Sequence, residues 1–136
     1  MRSPGSHLRT LAGPLPAACA VLLALASGTS ACRSTATDAD AAVGVVQRFF
    51  AALPAADCGA LGPLLAPDTQ GRPCDEVVAE MNAHELRLLE IASAVPDGRD
   101  RDAILVRAQL SQDGKPLKQP AVLRVVRHDG AWRLRP

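Results

Sequence analysis

Chemistry in a small domain needs titratable or nucleophilic side chains held in a protected place, and this chain offers few. It has no tyrosine, so no phenol can act as a general acid, an oxyanion donor or a stacking platform. Beyond the first thirty residues the histidines are His84 and His128. His84 closes a helical stretch, where a histidine ordinarily caps carbonyls; it becomes a base only if it points into a cavity mouth. His128 sits beside Asp129-Gly130, at a hairpin tip, and is expected to do no chemistry. Glu90 is the one acid that interrupts the apolar run Leu86–Val95. Strict alternation places it with Leu86 and Leu88, opposite Leu89, Ile91 and Val95. It is a candidate general base if that face lines a cavity, and a solvent-facing residue at a bulge otherwise; the second is preferred. His84 and Glu85 adjoin, but neighbours point apart and no third ligand recurs at useful spacing, so no metal is expected. No serine sits in a nucleophile elbow and no glycine-rich phosphate loop occurs, so no cofactor is expected either.

The four cysteines say more about location than about catalysis. Met1–Thr10 carries Arg2 and Arg9 and no acid, Leu11–Ala26 has no charge, and Ser27-Gly28-Thr29-Ser30-Ala31 is small. That order is the pattern of a secretory signal, expected over residues 1–31. Pro14 and Pro16 shorten its helical part to about ten residues, well below the roughly twenty that span a bilayer. Thr29-Ser30-Ala31-Cys32 resembles a bacterial lipobox, except that Thr29 replaces the usual leucine. Lipidation of Cys32 is the expectation; ordinary cleavage after Ala31 or Ala26 stays open. Two acyl chains on Cys32 would hold the protein to a membrane where one would be marginal. With Cys19 removed and Cys32 modified, Cys58 and Cys74 remain, and an even pair outside the cytoplasm is expected to form a disulfide.

The elements that must position these residues fall into two halves. From Arg33 to Gly98 there are four Lys/Arg against ten Asp/Glu, a net −6; from Arg99 to Pro136 nine against four, a net +5. Halves that nearly cancel favour packing on one another, and a formal net charge of +1 argues against nucleic acid as a partner. Residues 32–37 are small and polar, a short tether, and residues 38–136 are the folded domain. Thr37 is placed to cap a first helix, in which Ala42, Val45, Val46, Phe49, Phe50 and Leu53 form one apolar stripe before Pro54. A second short helix runs from a cap at Asp57 through Leu61 and Leu65, weakened by Gly62-Pro63. A third covers Cys74 to His84, with Val77, Val78 and Met81 inward. After His84 the period changes from 3.6 to 2, over Leu86–Val95, Ile104–Ser111, Ala121–Arg127 and Ala131–Arg135. Asp97-Gly98, Asp113-Gly114 and Asp129-Gly130 separate these runs, and Asp-Gly between alternating segments is a strong hairpin signal. Helices first and strands afterwards make an α+β domain, its helices covering one face of an antiparallel sheet of about four strands.

At Val45-Val46-Gln47-Arg48-Phe49-Phe50-Ala51-Ala52-Leu53, at Ala56-Asp57-Cys58-Gly59-Ala60-Leu61-Gly62-Pro63-Leu64-Leu65-Ala66-Pro67, and at Asp129-Gly130-Ala131-Trp132-Arg133-Leu134, the chain resembles an NTF2-like (SnoaL-like) domain. The resemblance covers residues 38–135 and implies a cone, a curved sheet wrapped on helices with a cavity at its wide end. Phe50, Leu86, Leu88 and Trp132 would then line that cavity. Enzymes of the superfamily, ketosteroid isomerase and polyketide cyclases among them, use a buried acid or histidine with an oxyanion donor that is often tyrosine. Lacking one, the chain is expected to be a non-catalytic, exported, membrane-anchored lipoprotein that binds a small apolar ligand or a protein partner at the cell envelope. The alternative is a small cofactor-free isomerase or cyclase using Glu90 or His84. Family members often pair through the outer sheet face, where Leu105 lies between arginines, so a homodimer is a further expectation.

Overall fold

The computed structural model describes residues 30–67 and 71–135, with side chains from residue 35 onward. The leader expected over residues 1–31 lies outside the described residues except for its last two, and so does the side chain of Cys32. Among the described residues no helix is long and apolar enough to cross a membrane.

Helix α1 spans Ser30–Ala52. It starts seven residues ahead of the expected cap at Thr37, so residues 32–37, read from sequence as a tether, lie within it. The chain has no proline or glycine between residues 30 and 43 to oppose helix. Asp38, which the short-helix reading leaves in the first turn, accepts instead from the Arg127 guanidinium at 2.8 Å. The apolar stripe falls inward as its spacing requires: Ala42, Val46, Phe49 and Leu53 have no exposed surface, and Phe50 keeps 6%. Phe49 and Phe50 meet edge to face at 5.5 Å, a favourable aromatic geometry. A 3-10 turn at Leu53–Ala55 follows, built on Pro54.

Helix α2 is one turn, Cys58–Leu61, capped by the Asp57 carboxylate, which accepts from the Gly59 N–H at 2.8 Å. Gly62-Pro63 tightens its continuation into a 3-10 turn over Gly62–Leu64. Helix α3, Cys74–Ala83, ends in a six-residue reversal. Glu85 takes a left-handed backbone (φ 45°), its N–H donates to Asn82 O, and Leu86 N–H donates to Met81 O. That satisfies carbonyls the helix end would otherwise orphan.

The sheet is an antiparallel meander in the order β1–β2–β4–β5, with β1 Arg87–Asp97, β2 Asp100–Gln112, β4 Ala121–His128 and β5 Ala131–Arg135. The two-residue strand β3, Lys115–Pro116, adds a fifth strand that alternation did not reveal. Both β3 and β4 pair with β2, and prolines at 116 and 120 interrupt the ladder along that side of β2. Strand β1 continues through Pro96, two residues past its expected end; it pairs only with β2, and an edge strand tolerates the missing N–H. The helices cover one face, so the class is α+β. Ile104, Val106, Ala108, Leu110, Val125 and Leu134 point toward α1 and join its stripe in one core. Leu65 pairs in parallel with Leu134, and Ala66 N–H donates to Leu134 O at 2.7 Å, docking the segment after α2 along the β5 edge.

Candidate functional site

The structure distributes the candidate residues over separate surfaces. Register decides the case of Glu90. Leu88 faces Leu110 across the β1–β2 ladder and Glu90 faces Gln109, with Leu89 inserted between them as a bulge. One extra residue flips everything after it to the opposite face. Glu90 is therefore exposed on the open side of the sheet, the solvent-facing position at a bulge that the sequence reading prefers, and Ile91, which alternation set opposite Leu86 and Leu88, turns with Leu88 toward the core. Strict parity had grouped Glu90 with Leu86 and Leu88; the bulge corrects that grouping.

His84 is exposed at the end of α3. With Arg72, Val77, Glu80, Met81 and Leu86 it lines a shallow cleft of about 210 Å³, so the structure brings His84 and Leu86 together and leaves Glu90 apart. Phe50 is closed into the core, and Leu88 packs against the same cluster. Trp132 is half-buried and lies under the Arg127 guanidinium, 4.6 Å from its ring centroid. Of the four residues expected to line a cavity, Phe50 thus belongs to the packed stripe of α1, and Leu86, Leu88 and Trp132 pack against the same core. His128 sits near Asp129 at the β4–β5 turn, 3.2 Å away, at a hairpin tip as expected. Among the described residues no group of three or more His, Cys, Asp or Glu is placed to hold a metal.

Cys58 and Cys74 form a disulfide, with Cα atoms 6.0 Å apart and a sequence separation of 16. It joins the start of α2 to the start of α3. Together with the Leu65–Leu134 pairing it frames a second cleft, of about 260 Å³, between the 62–67 segment, the first turns of α3 and β5. Among the described residues its walls are Gly62, Leu65, Ala66, Pro67, Cys74 and Val77, and its charged lining groups are Arg72 and Arg133. Arg72 is held by Glu80 at 2.7 Å. Arg133 is only partly exposed, and its Nε is buried with no hydrogen-bond partner. Sequence reasoning missed this site. Alternation along β5 assigns Arg133 to the solvent face with Arg135, and only the long-range docking of Leu65 and Ala66 on the β5 edge covers it. A third cleft, about 230 Å³, lies across the same segment and combines Asp100, Asp102, Arg127, His128 and Arg135.

No family model matches the chain, and no curated protein does. Among solved structures the chain is similar to a Sinorhizobium meliloti protein provisionally designated a polyketide cyclase. The match has 25% identity, covers 68% of this chain and 92% of that one, and has a TM-score of 0.45.

Proposed function

We propose that the chain is an exported, envelope-anchored binding module without catalytic activity. Its leader ends at Ala31, Cys32 carries the lipid anchor, and a small NTF2-like domain presents a rim cleft to a small ligand. The observation that carries the non-catalytic reading is the filling of the sheet's helix-covered face. Phe49, Phe50 and Leu53, between 0 and 6% exposed, occupy the space a buried active site would need. The two titratable candidates, His84 and Glu90, are solvated and lie on different surfaces. General acid–base chemistry gains little from groups that water already surrounds. Export is supported by the Cys58–Cys74 bridge, since disulfides persist in oxidising compartments.

A second reading rests on its own observation. The open sheet face exposes Leu89, Val95 and Val122 at 52%, 49% and 55%, more apolar surface than a solvated face requires. A second copy of the chain is the partner we propose for it.

A native mass spectrum of protein recovered gently from its envelope, repeated after denaturation and reduction, tests the first reading. The expected mass starts at Cys32 plus diacylglycerol, gains two protons on reduction, and loses a bound ligand on denaturation. A mass retaining Met1, or thiols free before reduction, overturns export. Turnover of any substrate that Glu90→Gln or His84→Ala abolishes overturns the non-catalytic reading in favour of the isomerase or cyclase alternative.

A further inference from the structure

Arg133 is the one partly buried arginine of the sheet whose charge nothing answers. Arg124 reaches Asp100 at 2.8 Å and Asp97 at 3.4 Å, and Arg127 reaches Asp38 at 2.8 Å. Arg133 makes no ion pair or hydrogen bond among the described residues, and its Nε is sealed from water. A guanidinium that is partly desolvated and unanswered costs free energy until an anion arrives. It lines the 260 Å³ cleft together with the apolar walls Leu65, Ala66, Pro67 and Val77. Those walls are held before any ligand binds: the Ala66–Leu134 hydrogen bond fixes one side and the Cys58–Cys74 bridge the other.

From this juxtaposition we infer that the cleft binds a small monocarboxylate, its carboxylate on the Arg133 guanidinium and its short apolar body against Leu65, Ala66, Pro67 and Val77. This rests on the binding-module reading and names the ligand class for the same cleft. One unanswered guanidinium matches one carboxylate, which it can hold by two parallel hydrogen bonds. Arg72 adds no net charge while Glu80 holds it. The volume lies just below the roughly 300 Å³ at which drug-sized sites begin, which restricts the body to a short chain or a single ring. Among the described lining residues the polar side chains are the two arginines, and no hydroxyl, amide or carboxylate joins them to match the mixed donors and acceptors of a sugar or a peptide.

The test is a titration of the full chain, disulfide intact, followed by amide NMR with three probes: hexanoate, hexan-1-ol and inorganic phosphate. Hexanoate is expected to shift the amides of Leu65, Ala66, Val77 and Arg133 to saturation, with the alcohol and phosphate at least tenfold weaker. Arg133→Gln should weaken hexanoate about tenfold or more, the loss expected when a charged hydrogen-bond partner is removed. Should that variant fail to fold, Pro67→Glu decides the matter, because an exposed carboxylate at the rim repels the ligand or occupies its place. Equal binding of hexan-1-ol or of phosphate, or hexanoate binding that neither variant weakens, overturns the proposal. Saturable shifts that cluster elsewhere overturn this site while leaving the binding-module reading intact. Turnover that depends on His84 or Glu90 overturns that reading and not the Arg133 contact.

Discussion

A carboxylate at a strand position is useful or idle according to which face it points to, and at Glu90 a single inserted residue makes the choice. With Leu89 bulged out, Glu90 pairs with Gln109 on the open face and has no buried partner to lose. Glu90→Gln is therefore expected to leave stability within roughly 0.5 kcal/mol of wild type in a denaturant titration, as surface substitutions do. Asp57 differs, because its carboxylate answers an otherwise orphaned N–H at the start of α2. Asp57→Ala should cost about 1 kcal/mol by the same measurement. Phe49, with no exposed surface, sets the upper end: Phe49→Ala should cost about 3–5 kcal/mol through lost transfer energy and the cavity left behind. The Asp57 cap and the Phe49 stripe were legible in the sequence, since both follow from local spacing. That Glu90 faces solvent at a bulge was the preferred reading too, but that Leu89 is the inserted residue was not legible, because the place of a bulge is decided by the partner strand. Nor was Arg133, whose cover comes from a segment nearly seventy residues earlier in the chain.

At the scale of elements, three Asp-Gly turns look alike in sequence and divide in the structure. Asp113-Gly114 and Asp129-Gly130 have positive φ at both residues, 50° and 75° in the first and 50° and 76° in the second, the mirror-image turn that suits a twisted hairpin. Gly98 lacks the positive φ; there the Asp97 carboxylate accepts from the Arg99 N–H at 3.0 Å and closes the corner instead. Alanine tests the distinction, since a Cβ at any of the three meets nothing within 4 Å. Gly114→Ala and Gly130→Ala should each cost about 1–2 kcal/mol through left-handed strain alone. Gly98→Ala should be close to neutral, and thermal melts of the three variants would separate the two kinds of turn. The disulfide belongs to this scale too, because it joins two helices that share few other contacts. Reducing it should cost on the order of 3 kcal/mol in the chain-entropy model, read as a shift of the urea midpoint with and without reductant. Helix α1 was legible in its stripe and not in its start, since a cap signal at Thr37 competes with a longer run that nothing breaks.

For the whole molecule the open sheet face decides whether the chain acts alone. Its rows carry Glu90 with Gln109, then Ser93 with Arg107 and Val122, then Val95 with Leu105, Arg124 and Arg135. An acid in the first row and Arg135 in the last, with Val122, Val95 and Leu105 as the apolar patch of the second and third, suit a two-fold pairing in which each copy's Glu90 meets the other's Arg135, Arg124 being held by Asp97 and Asp100. Area limits how strong that pairing can be. Four strands about 4.8 Å apart, overlapping for about six rows of 3.3 Å, present roughly 400 Å² in plan per copy. Two such faces fall below the roughly 1,200 Å² of total buried surface that separates weak encounters from stable complexes. The expected behaviour is therefore a reversible dimer, monomeric when dilute. Sedimentation velocity over a concentration series should show the mean mass rising with concentration, and Val122→Glu should abolish the rise without changing the melt. A Cys32 anchor would favour the same pairing, because copies confined to one membrane meet at a higher effective concentration than copies free in solution. A mean mass fixed at that of one chain across the series, with the anchor absent or present on vesicles, would leave the apolar face to a different protein.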